Sequence, residues 1–170
     1  MSIFLRLQST IVIAISLMSC TNIKPDFDGD SAFAYLVKQC EFGPRNPGSI
    51  GHVNTLNYLV EDMNIMADTV LIQRFKHTNE NIGGEIAMAN VISKFNLTAE
   101  KRIMIGAHWD TRPRSDQDEN LSYQDQPLIG ANDGASGIAV LLELSRLMKK
   151  YPPPIGVDII FFDGEDFGED

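Results

Sequence analysis

Three stretches of this sequence carry residues that could hold a cation and move a proton. Gly130-Ala131-Asn132-Asp133-Gly134-Ala135-Ser136-Gly137 sets one carboxylate among small residues, which let backbone and ligand approach closely. Ile103-Met104-Ile105-Gly106-Ala107 runs directly into His108-Trp109-Asp110. Val157 to Phe162 runs into Asp163-Gly164-Glu165-Asp166. Ligands of open α/β sheets bind at the carboxyl ends of parallel strands. Strand ends delivering His, Asp and Glu/Asp to one place would suit a hard or borderline cation. Zinc accepts this mixture of nitrogen and oxygen donors.

Each residue alone has an ordinary reading. A single His is commonly a satisfied polar group, Asp133 could be an acid favoured by a helix N-terminus, and Glu165-Asp166 could be an acidic turn. Their joint occurrence beside apolar runs is less ordinary. In an extended segment His108 and Asp110 share a face, so Asp110 could orient the imidazole from behind, as carboxylates beside metal-bound histidines do. Of the neighbours Glu165 and Asp166, one could bind metal while the other transfers protons, because their environments can push the two pKa values apart.

The elements needed to position these groups can be read from periodicity. Ser31–Cys40 predicts a helix with Phe33, Leu36, Val37 and Cys40 at helical spacing. A turn-rich loop, Phe42 to Ser49, leads to a second helix from about Ile50 to Met63. That helix would place Val53, Leu56, Val60 and Met63 on one face. Val70–Phe75 and Ala89–Phe95 read as strands of a hairpin. Ile103–Ala107 and Val157–Phe162 read as buried strands, joined through a helix from Ile138 to Met148. A strand–helix–strand unit makes those strands parallel. Pro152-Pro153-Pro154 stops the helix after Lys149-Lys150. Trp109 to Leu128 is long and charged. It reads as a solvated loop or, since both ends meet the proposed site, as a lid or substrate-contacting loop.

The 170 residues suffice for one domain, and 44% hydrophobic residues can fill a core. A net charge of −9 with no basic stripe argues against nucleic acid as a partner. Two cysteines are too few for a disulfide framework. Arg6 followed by the short apolar run Ile11 to Met18 reads as an export signal, too short for a membrane span. Leu17-Met18-Ser19-Cys20 resembles a bacterial lipobox. The expected organisation is therefore a signal at 1–19, a lipidated Cys20 with a tether over 20–30, and a partial domain over 31–170. Such a protein would be exported and held to a membrane on the periplasmic or cell-surface side. The alternative is an ordinary secretory signal. Cys40 is expected as a buried free thiol.

The pieces F-G-P-R-N-P-G-S, G-A-H-W-D, G-A-N-D-G-A-S-G and F-F-D-G-E-D, in this order from about Phe33 onward, resemble glutaminyl cyclases of the bacterial, animal-type group. These share a fold with the co-catalytic zinc aminopeptidases. The resemblance implies a three-layer α/β sandwich with a mixed, mostly parallel sheet flanked by helices. It implies Asp133 and Asp166 as zinc ligands and Glu165 as general base and acid. His108 would bind the second metal of an aminopeptidase, with Asp110 behind it. The sequence departs from the animal cyclases at Asp166, where those have Glu. The resemblance places a further ligand histidine and a catalytic aspartate beyond residue 170, so the chain reads as the N-terminal part of a longer enzyme. The implied activity is conversion of N-terminal glutamine of peptides or proteins to pyroglutamate with release of ammonia, using one zinc ion. The alternatives are a two-zinc aminopeptidase, or an inactive fragment or anchored binding protein.

Overall fold

The computed structural model describes residues 25–79 and 84–167. The export signal, the lipobox and Cys20 lie outside the described residues. The elements, in chain order, are α1 (Gly29–Glu41), α2 (Ile50–Met66), β1 (Thr69–Asn79), β2 (Gly84–Phe95), β3 (Arg102–His108), α3 (Gly137–Lys150) and β4 (Gly156–Phe162). A short irregular helical turn, Ala131–Ser136, leads into α3.

The strands form one sheet in the order β1-β2-β4-β3. β3 and β4 are parallel, as a helical crossover requires, with Ile103 opposite Val157 and His108 opposite Phe162. The sheet is mixed, but among the described residues β3–β4 is its one parallel pairing. β1–β2 and β2–β4 are antiparallel, because the hairpin fills the other half of the sheet.

Strand alternation decides the core. Val157, Ile159 and Phe161 of β4 face the same side as Phe95 and Val91 of β2 and are buried. Leu59, Met63 and Met66 of α2 and Ile138, Leu141 and Leu142 of α3 pack onto that side. α1 packs on α3, outside the sheet. The described helices thus cover one face; a second helical layer is not among the described residues. The other face carries Leu71, Met104 and Phe162, all substantially exposed.

α1 and α2 are capped by side chains: Asp28 accepts from the N–H groups of Asp30 and Ser31, and Ser49 from that of His52. Their buried faces match the expected ones in part: Met63 is fully buried, and Leu56 and Val60 pack against the core. Phe33 (65% exposed) and Val37 face outward, whereas Ala32 and Gln39 are buried. Val53 is exposed, whereas His52, Thr55 and Leu59 point inward. Cys40 is a free thiol but only partly buried.

Candidate metal centre

The ends of β3 and β4 lie side by side, so the residues that follow them meet. The Trp109 N–H donates to the Phe162 carbonyl (2.9 Å), extending the parallel ladder one residue beyond His108. The Trp109 indole is wholly buried and donates to the Ala89 carbonyl (3.2 Å). Asp110 is also fully buried. Its two carboxylate oxygens accept the backbone N–H groups of Glu165 and Asp166, both at 3.1 Å. The H-x-D segment therefore holds the acidic dipeptide in place as well as backing His108.

Asp133 comes from the turn before α3. Gly130 opens that turn in the left-handed region (φ 59°). Asp133 is extended, not helical (φ −110°, ψ 106°). A Cβ on Gly134 would lie 2.3 Å from the His108 carbonyl oxygen and under 3 Å from the imidazole ring. Glycine at this position is what lets the turn lie against His108. The outcome is a 2.7 Å contact between His108 Nε2 and Asp133 Oδ1.

Electrostatics reflect the crowding of acids. The His108 pKa is pushed up to about 9, first by Asp110 and then, against burial, by Asp133 and Glu165. The Nδ1 to Asp110 Oδ1 separation of 3.5 Å leaves Nδ1 without a well-formed hydrogen bond. Asp110 thus acts on the ring mainly as a nearby charge. The Asp166 carboxyl is raised by burial and by the charge of Asp133, and Arg112 opposes the rise from 3.7 Å. The neighbours Glu165 and Asp166 differ sharply: side-chain exposure is 64% for Glu165 and 15% for Asp166. Glu165 Oε2 lies 3.8 Å from His108 Nδ1.

The structure therefore gathers His108, Asp110, Asp133, Glu165 and Asp166. The donors fit zinc in kind, combining one imidazole with carboxylates. Among the described residues no three of them close on one point at ligand distance. The His108–Asp133 pair is the nearest approach of donors, with the Asp166 carboxylate directed toward Arg112.

Several supporting residues were not evident in the sequence. Asp163 is buried and bonded to His52 Nε2 at 2.9 and 3.0 Å. It also accepts the Ala89 N–H at 2.6 Å. Burial raises the Asp163 pKa, and His52 opposes the rise. The His52 ring stacks on Trp109 with centroids 4.4 Å apart. Arg45, fully buried, and Arg112 were likewise missed; the charge run in the 109–128 loop was the one available sign of Arg112.

Residues 90–169, which span this cluster, match the model of Peptidase family M28. A glutaminyl cyclase structure from Bacteroides thetaiotaomicron is 41% identical with a TM-score of 0.81, over 85% of this chain and 49% of that one. A structure from the same organism described as a leucine aminopeptidase precursor is also 41% identical, with a TM-score of 0.82 over 85% and 50% of the two chains. The Bos taurus glutaminyl-peptide cyclotransferase is 28% identical over 136 residues, covering 72% of this chain and 35% of the relative. The chain thus spans about half the length of the solved relatives and about a third of the bovine one. By sequence and fold, residues 90–169 match Peptidase family M28, and the chain is similar to glutaminyl-peptide cyclotransferases.

Proposed function

We propose that this protein is a zinc-dependent glutaminyl-peptide cyclotransferase. The observation that carries the reading is the contrast between Glu165 and Asp166. Asp110 fixes both backbone N–H groups, leaving one carboxylate open to a substrate and the other turned inward. Asp133 and Asp166 would hold the ion, with His108 beside them. Zinc bound there would supply a Lewis acid for the side-chain carbonyl of an N-terminal glutamine.

Glu165 supplies the proton transfers. It accepts a proton from the substrate's α-nitrogen as that nitrogen bonds to the side-chain carboxamide carbon. It then returns a proton to the departing nitrogen as the old carbon–nitrogen bond breaks and ammonia leaves. Nucleophile and electrophile belong to one residue, so proximity contributes to the rate.

The two-metal aminopeptidase is the second reading. It is favoured by the direct contact of His108 with Asp133 and by the aminopeptidase-described neighbour. The deciding variant for proton transfer is Glu165→Gln in the full-length protein. It should retain zinc and lose about 10²–10⁴-fold or more in turnover. Near-normal turnover in that variant would remove Glu165 from the mechanism.

The export and anchoring expectation, with its boundaries at 1–19, 20–30 and 31–170, is also proposed on the sequence before Thr21. Cys20→Ala should release the protein from the membrane fraction; unchanged partition would refute a lipid anchor.

A further inference from the structure

The loop Phe42–Ser49 has no role in the chemistry above, yet it carries a buried arginine. Arg45 is 0% exposed. Its guanidinium donates to three main-chain carbonyls: Nε to Trp109 (2.9 Å), one terminal nitrogen to Ile129 (2.8 Å) and the other to Gly130 (2.8 Å). Its backbone N–H donates to Thr111 Oγ1 (2.8 Å). Trp109 lies between His108 and Asp110, and Gly130 opens the turn that presents Asp133. One planar fork therefore spans both ends of the long 109–130 excursion. A lysine, with a single compact ammonium, cannot reproduce that geometry.

The platform under Arg45 is itself fixed. Ser49 caps α2 and donates its hydroxyl to the Pro44 carbonyl (2.9 Å). A Cβ on Gly51 would lie 2.2 Å from the same Pro44 oxygen, so the loop lies tight against the first turn of α2. On the opposite side, a Cβ on Gly130 would lie 2.3 Å from Thr111 Cγ2, so the two ends of the excursion are in contact. Residues between them, such as Leu121 and Tyr123, are exposed.

We infer that Arg45 is a positioning residue for the cation site, setting the separation between the His108–Asp110 strand end and the Asp133 turn. The inference rests on the reading that these residues bind zinc. It does not depend on whether the reaction is cyclisation or peptide hydrolysis.

The test is zinc affinity by chelator competition in the full-length protein, with circular dichroism to verify folding. Arg45→Lys and Arg45→Gln should weaken zinc binding by about 10–100-fold, the usual effect of removing a group that orients metal ligands. Arg146→Lys serves as control. Arg146 also makes close bonds, to Glu143, but is not in contact with the site, so its affinity should stay at wild-type level. Folded Arg45 variants that hold zinc within about twofold of wild type would overturn the inference. A wild-type readout covers variants that fail to fold. The Arg45 Nε–H resonance should exchange slowly and shift when zinc is added, and a resonance indifferent to zinc would overturn the inference just as directly. A wild type that binds no zinc would overturn the site reading and this inference together.

Discussion

Replacing Asp110 with Asn tests how the site is held. The carboxylate is fully buried and accepts two backbone N–H groups, those of Glu165 and Asp166. Asn has nearly the same shape but only one acceptor oxygen, so one N–H loses its partner and faces an NH₂ group. A hydrogen bond to a charged acceptor is worth about 1.5–3 kcal/mol, and the variant should lose about that much of a stability commonly near 5–15 kcal/mol. Urea unfolding with an unchanged slope would measure it. The same substitution removes the leading cause of the raised His108 pKa. A raised histidine pKa contributes stability that is fully present below the unfolded value, near 6.5, and is lost as pH rises through about 9. In the metal-free protein, Asp110→Asn should move the His108 titration, followed by NMR, downward and flatten that part of the pH–stability curve. A stability change under about 0.5 kcal/mol, the usual size for an uninvolved surface position, with His108 titrating as before, would refute this account of Asp110.

Two further perturbations test other parts of the frame. Gly134→Ala places a methyl group against the His108 backbone, which cannot swing aside; it should cost about 1–3 kcal/mol by overpacking and weaken zinc binding, and a wild-type melting curve would contradict the close approach. Arg102 bonds to Asp158 and holds its carboxyl below the usual range, so this pair stabilises above the unfolded carboxyl pKa and fades as pH falls through the lowered folded value. Asp158→Asn should cost up to about 1 kcal/mol near neutral pH and remove that acid dependence, and an unchanged acid unfolding profile would count against it.

The strand ends were legible because two apolar runs stop at chemistry-bearing residues, and their parallel pairing follows from the helix between them. Sequence also marked the Asp133 turn through its small residues. The helix faces were less legible, because some inward positions are polar. Gln39 is buried and its amide donates to the Ala135 carbonyl beside the site (3.1 Å) and to the Tyr35 carbonyl (3.0 Å). Thr55 and His52 are buried where periodicity favoured Val53. Arg45 sits within the turn-rich Phe42–Ser49 motif, but its carbonyl partners lie 64 to 85 residues away. Asp163 and His52 are 111 residues apart and meet only in the folded chain. The 109–128 loop does carry local pairs, Arg112–Asp116 and Arg114–Asp125, as a solvated loop would. Its two ends meet each other, the Leu128 N–H donating to the Arg112 carbonyl (3.1 Å).

The most direct measurement is the product formed from a peptide with N-terminal glutamine by the full-length, zinc-loaded protein, read by mass spectrometry alongside an ammonia assay. The cyclase account predicts one ammonia lost per peptide, an intact peptide bond and no reaction with Glu165→Gln. Release of free amino acids without loss of the side-chain nitrogen would contradict it and establish the aminopeptidase reading in its place.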